Sequence, residues 1–312
     1  MPSATVDPAA AGARLDQFVA RLLGTSVHAA RRLIAEGRVI VADRVIIGDA
    51  PSRAQPCTRK GLHLAVGQHV TVERPDGLDA GAVVPAPGDP LSVLFTDAHL
   101  VVMNKPAGIP SHPLRPGEVG TLANALVARF PECAGAGDDP REAGLGHRLD
   151  NGTSGVIIAA RHHDAWLSLR AALNAPTCEK TYLAEVVGRT AAQGRLEQPI
   201  GRRGRRGTQV VVGGQGRNPL PATTAWQSIA DRPSSTLLRV RLHAGRAHQV
   251  RAHLAAAGHP LVGDALYGPV PEPGLAAAPR LHAESIRLLH PITGQAMFFE
   301  APPPGWANML AR

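Results

Sequence analysis

Residues 76–90 carry Gly, Ala, Pro and Asp and little bulk. A stretch of that kind neither packs a core nor sustains a ladder, so it reads as a linker. It divides the 312 residues into a small N-terminal unit at 12–73 and a large unit at 91–312, joined by 74–90. A chain of this length suits one large domain with an appendage, or two domains. An apolar content of 44% is enough for a proper core.

In the small unit, Leu15, Phe18, Val19 and Leu22 recur at spacings of three, one and three, which makes one apolar stripe on a helix. Gly24 ends that helix and Ser26 suits the N-cap of a second. Ala30, Leu33 and Ile34 form the second helix's buried side, and Gly37 stops it. Val39-Ile40-Val41, a turn at 42–44 and Val45-Ile46-Ile47 predict a hairpin. His28, Arg31 and Arg32 project from the other side of the second helix, with Arg38 just beyond. A solvated face has that appearance, and so does a compact RNA reader. Arg14-Leu15-Asp16-Gln17-Phe18 and Glu36-Gly37-Arg38-Val39-Ile40-Val41 resemble the R-L-D-x-F start and E-G-R-V-x-V centre of the S4 RNA-binding module. Residues 51–67 are longer and looser than that module usually allows. The resemblance implies RNA contacts for Arg31, Arg32 and Arg38.

The large unit mixes element types. Strands are predicted at 91–95, 100–104, 155–160, 181–187, 237–242 and 297–300, and helices at 121–130, 164–173 and 246–257. Lys plus Arg number 33 against 25 Asp plus Glu, a formal charge of +8. That balance favours a polyanionic partner, since neutralised phosphates release counterions. Arg202, Arg203, Arg205 and Arg206 lie among glycines, as a flexible charged loop or as RNA contacts through planar guanidiniums.

Several chemistries are disfavoured. Cys57, Cys133 and Cys178 are odd in number and far apart, fit no disulfide framework or Cys-x-x-Cys pattern, and point to a reducing compartment, the cytoplasm. Residues 1–13 lack a basic start and an apolar stretch, and no apolar run is long enough for a bilayer, so no membrane association is expected. His243, His248 and His253 are each five apart, which on a helix rotates successive side chains by about 140°, so no metal site is expected. Gly152-Thr153-Ser154-Gly155 precedes a strand, unlike a nucleophile elbow. No dinucleotide fingerprint or Walker lysine is present, so no cofactor is expected.

Gly146-His-Arg-Leu-Asp-Asn-Gly-Thr-Ser-Gly155 runs directly into the apolar Val156-Ile157-Ile158-Ala159-Ala160. An Asp in such a loop is ordinarily a turn former. This stretch nevertheless resembles the H-R-L-D-x-x-T-S-G centre of the RluA-type RNA pseudouridine synthases at every fixed position. Gly245-Arg246-Ala247-His248-Gln249-Val250-Arg251-Ala252-His253 and the segment from Gly258 to Gly268 resemble that family's G-R-x-H-Q-I-R-x-H and G-x-P-I-x-G-D-x-x-Y-G blocks. Asn104-Lys105-Pro106-Ala107-Gly108 and the strand around Lys180, Tyr182 and Ala184 match further motifs, in family order. The likeness covers 91–301. It departs at Asn151-Gly152 and in the Gly/Arg insert at 201–217.

The resemblance implies an α+β protein: a catalytic domain on a mixed, largely antiparallel sheet with flanking helices, plus a small N-terminal S4-like α/β module. It implies an isomerase that converts uridine to pseudouridine in ribosomal or transfer RNA, or a ribosomal precursor, acting as a monomer without cofactor or metal. Asp150 is then the catalytic carboxylate, attacking C1′ or taking the 2′-proton. Arg251, 101 residues on, holds it ionised, and Tyr182 lies against the flipped uracil. Arg148, His147, Arg246, His248, Gln249 and Lys105 become substrate-binding residues. Two other readings stay open: a non-catalytic RNA-binding or ribosome-assembly factor on the same fold, and a glycosidase with Glu142 as second acid.

Overall fold

The computed structural model describes residues 2–23, 27–42, 55–59, 61–73, 82–87, 91–203, 209–214, 216–243, 245–269 and 278–308. The N-terminal unit comprises β1 (Ser3–Thr5), α1 (Leu15–Leu23), α2 (Val27–Ala35), β2 (Val39–Ala42), β3 (Gln55–Pro56) and β4 (His69–Val72). Its sheet runs β1-β4-β2-β3, antiparallel throughout. The stripe read from sequence faces inward: Leu15, Phe18 and Val19 of α1 meet Leu33 and Ile34 of α2 over Val39, Val70 and Val72. The expected hairpin takes another form, since β2 pairs with β4 and β3, and residues 45–47 lie outside the described set. The proposed caps at Gly24 and Ser26, and most of the linker, also lie outside it.

The large unit contains β5 (Val93–Thr96), β6 (Leu100–Lys105), α3 (Leu122–Arg129), β7 (Ser154–Ala160), α4 (His163–Asn174), β8 (Glu179–Val187), β9 (Gln193–Glu197), β10 (Ile200–Arg202), β11 (Val210–Val212), β12 (Arg217–Leu220), β13 (Thr223–Asp231), β14 (Ser235–Leu242), α5 (Gln249–Ala256), β15 (Leu281–Leu289) and β16 (Ala296–Glu300). Nine strands form one mixed sheet in the order β5-β6-β7-β15-β8-β14-β13-β9, with β16 beside β15. Among the described strands only the β7–β15 pair is parallel. At that junction Gly155 adopts φ +112°, and a Cβ there would sit 2.1 Å from the Ala283 carbonyl oxygen, so only glycine lets the strands meet. Strands β10, β11 and β12 form a separate small sheet.

The alternation along β6 and β7 explains the unbroken apolar run. Val101, Met103, Ile157 and Ala159 face α3, while Leu100, Val102, Val156, Ile158 and Ala160 face α4. A strand covered on both faces needs apolar residues at consecutive positions. Helix α5 packs Val250 and Leu254 against Ala184, Val186, Leu238 and Val240 of β8 and β14. The predicted helix at 246–257 is shorter than expected, because His248 takes a left-handed conformation (φ 55°) and α5 starts at Gln249. Among the described residues no helix is long and apolar enough to cross a membrane.

Candidate active site

The loop ahead of β7 is pinned from below. Ser111 Oγ donates to the Leu149 carbonyl at 2.7 Å and accepts from the Leu149 N–H at 3.1 Å. Lys105 Nζ donates to the carbonyls of Pro106, Ile109 and Asn151 at 2.8, 2.7 and 3.2 Å. The Thr153 N–H closes a turn on the Asp150 carbonyl. With both neighbours tied to the 105–111 segment, the Asp150 side chain projects into a cleft of about 610 Å³.

Arg251, in the first turn of α5, meets it there. Its Nη1 donates to Asp150 Oδ2 at 3.1 Å, while Nε and Nη2 grip Asp264 bidentately at 2.7 Å each. Asp264 is fully buried and its Oδ1 also accepts from the N–H groups of Leu266 and Tyr267. Burial works against both charges; the mutual hydrogen bonds outweigh it, lowering the Asp264 pKa and raising that of Arg251. The imidazole of His248 lies on the other side, with Nε2 3.7 Å from Asp150 Oδ1.

Tyr182 lines the same cleft. Burial, and then the charge of Asp150, push its phenol pKa up, so the hydroxyl stays protonated at neutral pH. His147 forms part of the wall, its Nε2 accepting from the Ile158 N–H at 3.2 Å. Burial, with Lys180 and Arg170 nearby, pulls its pKa down to about 3, and the ring is neutral. Arg148 and Arg202 add guanidiniums to the lining. Arg246 adds a third, with a buried Nε that has no hydrogen-bond partner among the described residues.

Not every residue read from sequence reaches the cleft free to bind. Lys105 is fully buried and its three hydrogens are spent on backbone carbonyls, so its assignment to substrate binding is corrected to a tie beneath the Asp150 loop. Gln249 borders the cleft, yet its amide holds the Arg246 N–H, the Thr223 carbonyl and Thr224 Oγ1, and its substrate role is corrected likewise. In the N-terminal unit, Arg31 donates to buried Asp16 at 2.7 Å, alongside Arg14, while Arg38 pairs with Glu36 at 3.2 Å. Arg203 reaches Gln209. Arg205, Arg206 and the side chain of Arg32 lie outside the described residues. Asp264 and Tyr267 were not singled out by sequence, although both fall inside the 258–268 motif. Among the described residues no group of three or more His, Cys, Asp or Glu side chains is arranged to hold a metal ion.

A carboxylate fixed by a guanidinium, in a cleft rimmed by further arginines, suits proton transfer or nucleophilic attack on a polyanionic substrate. That defines a class, an enzyme acting on an anionic substrate. Residues 99–256 match the family described as RNA pseudouridylate synthase. The chain is 35% identical over 296 residues to a ribosomal large subunit pseudouridine synthase D of Nitrosomonas europaea, covering 91% of this chain and 79% of the relative. To the protein of the same description in Yersinia pestis it is 34% identical, covering 88% of this chain and 79% of the relative. Human RNA pseudouridylate synthase domain containing 1 superposes with a TM-score of 0.54 at 26% identity, covering 69% of this chain and 84% of that one. The chain belongs to the RNA pseudouridylate synthase family. It is an isomerase acting on RNA, which sets aside the binder and glycosidase readings.

Proposed function

We propose that this chain converts a uridine of large-subunit ribosomal RNA to pseudouridine, with Asp150 as the carboxylate that acts at the ribose. The observation that carries this reading is the Asp150–Arg251 contact at 3.1 Å inside the cleft, in a chain whose relatives are described as ribosomal large subunit synthases. In the reaction N1–C1′ breaks, the base turns, C5 bonds to C1′, and C5 gives up its proton while N1, freed from the ribose, takes one up. All the bonds concerned are in the substrate.

Arg251 engages Oδ2 of Asp150, so Oδ1 is the oxygen available to the ribose, at C1′ or at the 2′ hydrogen. Tyr182 stacks on the uracil as a neutral ring, since its raised pKa disfavours a phenolate. Arg148, exposed at the cleft, holds the vacated space after the nucleotide leaves the stack. Residues 12–73 form an S4-like capture module, 74–90 a linker and 91–312 the catalytic domain. In this reading the chain works as a monomer, and ribosomal RNA as substrate implies the cytoplasm.

Mapping pseudouridines in large-subunit RNA from cells with and without the gene tests the substrate. Loss of one or a few defined sites is expected. Unchanged large-subunit RNA with sites lost in transfer RNA would overturn the ribosomal assignment.

A further inference from the structure

The side of Asp150 away from Arg251 is also built. His248 sits in the left-handed region (φ 55°), a conformation unfavourable for a residue with a Cβ, and the helix begins only after it. That geometry sets its imidazole between two oxygens: Nε2 is 3.7 Å from Asp150 Oδ1, and Nδ1 is 2.9 Å from the Tyr267 hydroxyl. Tyr267 is itself held, because the backbone N–H of Val210 in β11 donates to its oxygen at 2.8 Å. Its ring also lies under the Arg251 guanidinium, 5.2 Å from centroid to Cζ, and edge-on to His248 at 5.7 Å.

We infer that Tyr267 and His248 form a positioning pair for Asp150, in which the tyrosine hydroxyl fixes the imidazole so that its Nε2–H faces Oδ1. The inference rests on the reading of Asp150 given above. A backbone N–H can only donate, so one acceptor site of the Tyr267 oxygen is taken by Val210. The phenol hydrogen then has His248 Nδ1 as its acceptor. The reverse arrangement, with Nδ1–H donating, would leave the phenol hydrogen without an acceptor among the described residues. With Nδ1 accepting, the ring hydrogen of the neutral imidazole belongs on Nε2, toward the carboxylate. The groups facing His248 are Asp150, Arg251, Asp264, Arg148 and Tyr267; burial, opposed by Asp150, lowers its pKa and keeps it neutral. Strand β11 lies within the Gly/Arg insert at 201–217, so that insert braces the reacting carboxylate through Tyr267.

The test combines Tyr267→Phe, His248→Ala and the double variant, read by single-turnover isomerisation and by RNA Kd, with 15N-histidine NMR of the wild type. Tyr267→Phe keeps the ring beneath Arg251 and removes only the hydroxyl. Each single variant should slow isomerisation about tenfold with RNA Kd unchanged. The double variant should be no slower than His248→Ala alone, and NMR should show His248 of the wild type as the Nε2–H tautomer. A wild-type rate for Tyr267→Phe, its full effect persisting on top of His248→Ala, or an Nδ1–H tautomer in the wild type would each overturn the pair. Failure of the underlying reading is separately visible, as retained activity in Asp150→Asn.

Discussion

Arg251 serves two carboxylates at once, bidentately at Asp264 and through its remaining nitrogen at Asp150. An ammonium has the charge but not the planar fork, so Arg251→Lys cannot meet both demands. Losing a charge-assisted hydrogen bond costs about 1.5–3 kcal/mol, which corresponds to a slowing of isomerisation by roughly 10- to 100-fold. Single-turnover assays check this, and a change below about twofold would contradict it. Asp264→Ala has a different signature. It leaves a half-satisfied buried guanidinium, and urea denaturation should show a loss of about 3–5 kcal/mol. The two carboxylates were unequally legible. Asp150 and Arg251 stood out because their motifs name them, whereas Asp264 and Tyr267 lay in a quoted motif with no role attached. Lys105 and Gln249 erred in the opposite direction. A motif records a residue type at a position, not whether its donors face a substrate or the protein's own carbonyls.

Helices α1 and α2 are joined by a buried charge as well as by their apolar stripes. Asp16 is fully buried and takes hydrogen bonds from Arg14 and Arg31. Arg14 chiefly, with Arg31 and against burial, holds its carboxyl at about 2 rather than 3.8. The folded value is depressed, so the stability it contributes is present above the unfolded pKa and is lost as pH falls from about 4 to about 2. The expected contribution is on the order of 2 kcal/mol. Amide exchange in α1 across that window measures it, and Asp16→Asn should lower protection at pH 7 and flatten the dependence; an unchanged profile would contradict the coupling. At this scale the sequence spoke clearly where burial follows one period. The stripe of α1, and the run 156–160 covered on both faces, were both readable. Strand β15 was not, although it joins β7 to β8 at the middle of the sheet. Its His282 and Glu284 are buried polar residues that break both the alternating and the continuous apolar pattern. The start of α5 was misjudged because a left-handed His248 leaves no mark in the pattern of apolar residues.

For the whole molecule, the charge of +8 and the proposed capture module imply an affinity for RNA that depends on salt. Arg31 is tied to Asp16 and is about half exposed, so substituting it disturbs the fold as well as the charge. A variant that leaves the Arg31–Asp16 pair in place is Arg32→Ala with Arg38→Ala. It should flatten the slope of log affinity against log salt by about 1 to 2 units while sparing isomerisation at saturating RNA. An unchanged slope would make the cluster a solvated face and shift attention to Arg202 at the cleft. On the proposed reading capture and chemistry are separable, and the chemistry rests on Asp150. Asp150→Asn preserves the shape of that side chain and removes its charge, so the purified variant should bind structured RNA as the wild type does and form no pseudouridine. Substantial turnover of uridine by Asp150→Asn would contradict the assignment.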